Sequence, residues 1–310
     1  MLDANDAGVR TFVEVAEVWV PKDGVLVWDS GDYGDLAGFK AVSGAERFAK
    51  GEGLPGKAWA EGRPIVLKGF EGSYFKRTKA AQEAGLTAAV AIPVFNGDTL
   101  LAVLVTLCSD DATRMGAIEV WRETQGILQL EDGYFGAAQD FEWVSRQAEF
   151  LKGQGMPGGV WAAGAPMLMR NLGAGHGFVR ASSAEQAGIS TGLGLPIPVP
   201  GDAAYVLALL SAQGTPLARR FEIWDARKSK VGHRGGAILI DGVCSTDGPL
   251  GMEDEPIRVA PYRTAIGQTV ATGIPKAARQ EVGLPGGHTS VVTFPIHSGG
   301  ALSHIVAWYS

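Results

Sequence analysis

The sequence predicts a mixed α/β (α+β) fold made of three tandem copies of one small domain, and three observations carry that prediction. The first is a tripled landmark. Ala16-Glu17-Val18-Trp19, Ile118-Glu119-Val120-Trp121 and Phe221-Glu222-Ile223-Trp224 place their tryptophans 102 and 103 residues apart. The second is that the first two copies continue in phase. Phe48-Ala49-Lys50-Gly51-Glu52-Gly53-Leu54-Pro55-Gly56 matches Phe150-Leu151-Lys152-Gly153-Gln154-Gly155-Met156-Pro157-Gly158, and Trp59, Gly62 and Pro64 match Trp161, Gly164 and Pro166. After one inserted residue, Phe75, Arg77, Ala84 and Gly85 match Phe178, Arg180, Ala187 and Gly188. Self-similarity at a fixed period marks duplicated structural units. The third is local: the first copy runs through strand-like segments joined by hairpin turns, with a short helical turn and a helix between them.

Residues 11 to 20 and 24 to 29 read as two strands around Pro21-Lys22-Asp23-Gly24, a turn sequence suited to a hairpin. Gly51 to Gly56 reads as a loop, and Lys57 to Glu61 as a short helical turn ended by Gly62 and Pro64. Ile65-Val66-Leu67 is a strand. Phe75 to Ala84 is a helix stopped by Gly85, with Phe75, Thr78, Ala81 and Ala84 at helical spacing. Ala88 to Phe95 and Leu100 to Leu107 are strong strands around Asn96-Gly97-Asp98. They are apolar on both faces, so both sides of the sheet are expected to be covered. The step from Leu107 to Ala117 leaves no room for a useful helix, so the copies should pack closely rather than hang as beads.

The third copy is worn. Ala265-Ile266-Gly267, Gly273-Ile274-Pro275 and Phe294-Pro295-Ile296 keep the pattern, but glycine to proline spans 22 residues there against 31 and 32 in the others. The lost stretch carries Phe-x-Arg and its helix, so a working pocket is not expected in this copy. The domain bounds read as 11–109, 116–212 and 219–310.

Composition narrows the function. The chain has 310 residues, 46% hydrophobic and 19% charged, which is ample for folded cores. The net charge is −6 without a basic cluster, so no nucleic-acid partner is expected. No apolar run approaches the roughly 18 residues of a membrane span. Met1 to Arg10 lacks the features of a signal peptide, so a cytoplasmic location and no membrane partner are expected. Cys108 and Cys244 form no motif and read as reduced, semi-buried thiols.

The run Phe-x-x-Gly-x-Gly-Leu-Pro-Gly, then Trp, Gly-x-Pro, Phe-x-Arg, Ala-Gly-Leu and a Pro-Val-ended strand resembles the GAF domain. The likeness is strong over 11 to 109, good over 116 to 212 and partial over 219 to 310. It implies a central antiparallel sheet flanked by short helices, with a ligand pocket between one sheet face and the Phe-x-Arg segment. Family members bind cyclic nucleotides, bilins, haem or small metabolites, or only dimerise. The Asn-Lys…Asp-Glu signature of cyclic-nucleotide binders is absent, and no Cys-His pair is present to anchor a bilin. The cofactor is therefore open, with nothing pointing to bilin, haem or metal.

Candidate ligand-binding residues are Trp59, Phe75 and Arg77 in the first copy and Trp161, Phe178 and Arg180 in the second. Each arginine either clamps a carboxylate or phosphate or pairs with a nearby acid and holds its helix down. Glu17, Glu119 and Glu222 read as fold carboxylates that satisfy backbone or arginine donors, and Trp19, Trp121 and Trp224 as core fillers. The Gly-rich loops lack the spacing of a phosphate loop. His233, His288, His297 and His304 do not fall into a metal-ligand pattern, and no catalytic constellation stands out.

The expected protein is a non-enzymatic sensor or regulator that binds a small, anionic molecule in its first two copies. No kinase, cyclase, phosphodiesterase or helix-turn-helix segment follows, so the signal is expected to pass to a partner protein, with self-association a further option. The alternatives are an interaction scaffold without a ligand and a thiol-based redox enzyme.

Overall fold

The computed structural model describes residues 11–109, 112–174, 177–232, 235–251 and 255–310. Met1 to Arg10 and His233 lie outside these residues. The chain first lays down β1 (Val15–Lys22), β2 (Val25–Asp32), α1 (Ala37–Ala45), β3 (Arg47–Ala49), α2 (Gly53–Glu61), β4 (Ile65–Lys68), α3 (Thr78–Glu83), β5 (Leu86–Asn96) and β6 (Thr99–Ser109). It then repeats the series with β7 (Met115–Thr124), β8 (Ile127–Gly136), α4 (Gln139–Gln147), β9 (Glu149–Leu151), α5 (Gly155–Ala163), β10 (Met167–Arg170), α6 (Ala181–Gln186), β11 (Ile189–Ile197) and β12 (Tyr205–Ala212). The last series is β13 (Arg220–Asp225), α7 (Lys228–Val231), β14 (Ala237–Cys244), β15 (Gly248–Leu250), β16 (Arg258–Val259), α8 (Ala265–Thr272), β17 (Lys276–Arg279), β18 (Ser290–Ser298) and β19 (Ala301–Tyr309).

Each series closes its own antiparallel sheet, and the three strand orders correspond. They are β3-β2-β1-β6-β5-β4, then β9-β8-β7-β12-β11-β10, then β15-β14-β13-β19-β18-β17. The hairpin turns fall at Asp23-Gly24 and Asn96-Gly97-Asp98, between paired strands. Two details depart from the sequence reading. α2 begins at Gly53 rather than Lys57, so the last four of the six residues of the glycine loop are helix. Gly56 is required inside that helix because a Cβ there would stand 2.1 Å from the Ala49 carbonyl oxygen of β3. The second departure is α1, which carries no local signal: two glycines and no side-chain N-cap weaken it. Its buried Phe39 and Ser43 hold it instead.

The two faces of each sheet have different neighbours. In the first unit Val15, Trp19, Val103, Val105 and Leu107 face that unit's own helices. The alternate residues Ala16, Val18, Ala102, Leu104 and Cys108 enter a core shared by all three sheets. Ile118, Val120 and Leu209 join it from the second sheet, and Ile223, Phe294 and Trp308 from the third. Period-two alternation thus separates a private core from a common one, which is why these strands are apolar on both faces.

The units meet head to tail in a closed ring, with β4 against β8, β10 against β14, and β17 against β2. Corresponding basic residues mark the three joints. Lys68 Nζ reaches Asp132 Oδ1 at 3.1 Å, Arg170 pairs with Asp241, and Arg279 Nη1 lies 3.4 Å from Asp32 Oδ1. Head-to-tail contacts of this kind either propagate or close; here the third unit returns to the first.

Candidate functional site

Glu17 and Trp19 are two residues apart on β1 and therefore share its helix-facing side. A register shift in the β1–β2 pairing falls between Val18 and Trp19. The same shift recurs at Val120/Trp121 and at Ile223/Trp224. A bulge of this kind re-aims side chains locally. In each unit the indole Nε1 donates to the neighbouring glutamate, at 3.2, 3.0 and 2.8 Å for Trp19, Trp121 and Trp224. The extra residue, Asp29, Glu131 or Ile240, lies on the partner strand, so the tripled motif is a regular strand that carries a buried carboxylate opposite a bulge.

A buried carboxylate needs a cation or several donors, and the units supply them differently. In the first, Arg77 at the N-cap of α3 donates through Nη1 and Nη2 to both oxygens of Glu17, with Nη2–Oε2 at 2.9 Å. Its Nη1 also donates to Ser43 Oγ on α1. The rings of Phe39, Phe75 and Trp19 surround the guanidinium at 4.8, 5.2 and 5.4 Å. The second unit repeats the arrangement with Arg180, Glu119, Ser145 and Phe141. Arg77 and Arg180 are each only 3% exposed.

Those distances place the six sequence candidates. Arg77 and Arg180 sit in the ion pairs, and Phe75 and Phe178 pack over them, Phe75 also stacked on Phe70 at 4.0 Å. Trp59 and Trp161 are half-buried, with Lys50 and Lys152 at 5.9 and 5.3 Å from their rings. Both guanidinium forks are therefore directed at protein carboxylates, which was one of the two roles that the residue pattern allowed.

Among the described residues, the third unit has neither an Arg77-type helix nor an α1-type helix over its glutamate. Glu222 is instead met by Arg220, two residues earlier on the same strand, with Nε–Oε1 at 2.6 Å. The Tyr309 hydroxyl donates to its other oxygen at 2.7 Å. Burial pushes the Tyr309 phenol well up, and the adjacent Glu222 charge adds to it, so the hydroxyl stays protonated as a donor. Above this network lies a cavity of about 200 Å³, walled chiefly by Trp224, Leu239, Ile266, Leu284 and Val291. The sequence reading placed no working pocket here. The deletion that removed the covering helix left the volume empty, because Arg220 satisfies the carboxylate from the strand without filling the space. Neither Arg220 nor Glu281, which also lines the cavity, stood out in the sequence, since neither occupies a repeated position.

The remaining chemistry-bearing residues are dispersed. Cys108 and Cys244 are free and buried in different cores. Burial pushes the Cys108 thiol far up, so it is not a ready nucleophile. Among the described residues no group of three His, Cys, Asp or Glu could hold a metal ion, and no helix is long and apolar enough to cross a membrane.

Residues 9–121 match the GAF domain. The match covers the first sheet with its helices and continues into β7. Among solved structures, the chain is similar to the nlh2 GAF domain of A. aeolicus in an inactive state, with 22% identity over 32% of this chain, 59% of that one and a TM-score of 0.27. It is similar to the GAF domain of a phosphoenolpyruvate-protein phosphotransferase from Coxiella burnetii, with 22% identity over 31% and 56% and a TM-score of 0.26. A third is fRMsr of Staphylococcus aureus in its reduced form, with 18% identity over 31% and 56% and a TM-score of 0.25. The chain thus spans 59%, 56% and 56% of those three structures. No curated protein matches the chain.

Proposed function

We propose that this chain is a non-enzymatic regulatory protein of three GAF-type units in which the third unit binds a small molecule. One observation carries the reading. The space over the Glu-x-Trp strand is occupied by an arginine and its helix in the first two units and is a cavity in the third. Its mostly apolar walls and few polar groups are the usual make-up of a small-molecule site. Ligand binding there would change the packing of the third unit against both neighbours in the ring, which gives a route from pocket to surface. The test is a thermal-shift screen of amines, amino acids, organic acids and nucleotides on the full chain and on Val291→Phe, which fills the cavity. A ligand that raises the wild-type midpoint but not that of the variant supports the reading. A flat screen, or equal shifts in both proteins, overturns it.

A partner protein as the output is favoured by a feature of the second unit. Trp143, Leu151 and Val179 are 68%, 58% and 59% exposed, where the first unit carries Ala41, Ala49 and Lys76. Lys76 is tied to Glu46 and Glu52 at 3.1 and 3.0 Å, whereas the second unit has Ala148 and Gln154 in place of those acids. Large exposed apolar side chains where the sister unit has two alanines and a lysine suit a contact surface. A photo-crosslinker at position 143 in cells should give a discrete adduct with another protein; recovery of only the uncrosslinked chain would refute this.

A further inference from the structure

At the joint of the second and third units we propose a second binding site, separate from the third-unit cavity. It takes a small organic anion whose apolar body carries a hydroxyl: the hydroxyl donates to His304, and the negative group meets Lys228 and Arg227. The site exists because this joint lacks what another has. Where the first unit meets the second, Arg63 pairs with Glu61 and Glu131. Arg122 also reaches Glu131 at 3.6 Å and lies over the Tyr205 ring at 6.0 Å. Where the second meets the third, the corresponding positions hold Ala165, Ala163, Ile240, Asp225 and His304. The charged side chains that bridge the first joint are thereby lost, and a cavity of about 480 Å³ lies between the units.

Ala163, Ala165, Val231, Val270 and Leu302 give it mostly apolar walls, and its volume is that of an ordinary small-molecule site. His304 supplies the buried polar group. It is 5% exposed, yet its Nε2 is open to solvent and has no hydrogen-bond partner among the described residues. The other ring nitrogen fixes what that atom can do. Ser303 Oγ donates its one proton to the Ile296 carbonyl at 2.9 Å, so it accepts from His304 Nδ1, 3.2 Å away. The ring proton is therefore on Nδ1, and Nε2 is a bare acceptor in a neutral imidazole. Burial favours that neutral form. A ligand hydroxyl completes it. The rim sets the charge. Arg227 is bound to Asp225 through Nε and Nη2, at 3.0 and 2.6 Å, which leaves Nη1 for another acceptor. Among the described residues, exposed Lys228 has no ion-pair partner and no acid lines the cavity. A protonated amine would meet the Lys228 charge with no carboxylate in the lining to offset it, whereas a ligand carboxylate is paired by it.

The experiment is calorimetric titration of the full chain with 4-hydroxyphenylacetate, phenylacetate, 4-methylphenol and tyramine, which share a ring and differ in the hydroxyl or the charge. 4-Hydroxyphenylacetate should bind at least tenfold more tightly than phenylacetate or 4-methylphenol, and tyramine should bind most weakly. His304→Leu should bring 4-hydroxyphenylacetate down to the affinity of phenylacetate, whose own binding persists and shows that the joint is intact. Lys228→Gln, at an exposed position, should reduce binding of both anions at least threefold and leave 4-methylphenol unaffected. Ala165→Trp fills the cavity and should abolish binding of all probes, which locates the site. Equal affinities for the anion and the amine, no loss of the hydroxyl's advantage in His304→Leu, or undiminished binding to Ala165→Trp would each overturn the proposal. So would the absence of binding by every probe to the wild-type chain.

Discussion

The first and third units keep a glutamate and a tryptophan at the same places on a strand that faces a bulged partner, yet they neutralise the glutamate from different directions. In the first, the cation comes from a helix cap 60 residues away and ties α1 and α3 down onto the sheet. In the third, it comes from two residues away on the strand itself and also reaches Asp247 beside β14, but it ties down no helix. Both arginines neutralise a buried glutamate, but only the first brings a helix over the strand. A conserved chemical need met locally thus frees a volume that the distant solution occupies. The second unit follows the first in every partner, so the contrast belongs to the third unit's deletion and not to drift around the ring.

The largest effect that tests this contrast is removal of the cation. Arg77→Met leaves Glu17 fully buried with Trp19 as a donor and should cost about 3–5 kcal/mol, as for other broken buried pairs. Arg220→Met should cost less, about 1–3 kcal/mol, because Glu222 keeps both Trp224 and Tyr309. Urea unfolding of the two variants side by side measures the difference; equal losses would break the comparison.

A smaller effect probes what the units share. Gly56 and Gly267 occupy the same place in α2 and α8, where a Cβ would stand 2.1 and 2.3 Å from a carbonyl oxygen. Alanine at either position should cost about 1–3 kcal/mol through overpacking. The costs should be similar, since the helix–strand approach survives in the worn unit. A negligible cost at Gly267 would show that α8 is held less closely than α2.

The smallest effect separates the third unit by pH. Burial pushes His297 and His304 below the ordinary 6.5, with Asp225 raising His304 part of the way back and Arg227 opposing it. The unfolded chain then binds these protons first as pH falls. Their contribution to stability is complete above about 6.5 and is lost as pH drops through the lower folded values. Denaturation at about pH 7.5 and about pH 5.5 should show a fall that is smaller in the His297→Gln/His304→Gln double variant. An identical fall in the variant would assign it to other groups.

Much of this architecture was legible because it is local or periodic. The Glu-x-Trp landmarks, the Asn96-Gly97 turn and the two-faced apolar strands each announce themselves within a few residues. The reading of Glu17 as a fold carboxylate followed from its recurrence, and Arg77 was left between two roles because a sequence does not say which acid lies opposite. α1 was missed for the complementary reason: its stability comes from Phe39 and Ser43 in a core that the flanking residues do not reveal.

The sequence by itself therefore determined the longer strands and β4 of the first unit, the turns of its two hairpins and the recurring acid in each unit, but not the short strand β3. Only the tertiary structure decided which cation meets that acid, that the three sheets share one core in a closed ring, and that the shortest unit holds the cavity. The reason is physical. Backbone preference and side-chain period act over a few bonds, whereas an ion pair across 60 residues or an unfilled volume depends on where the whole chain has been placed.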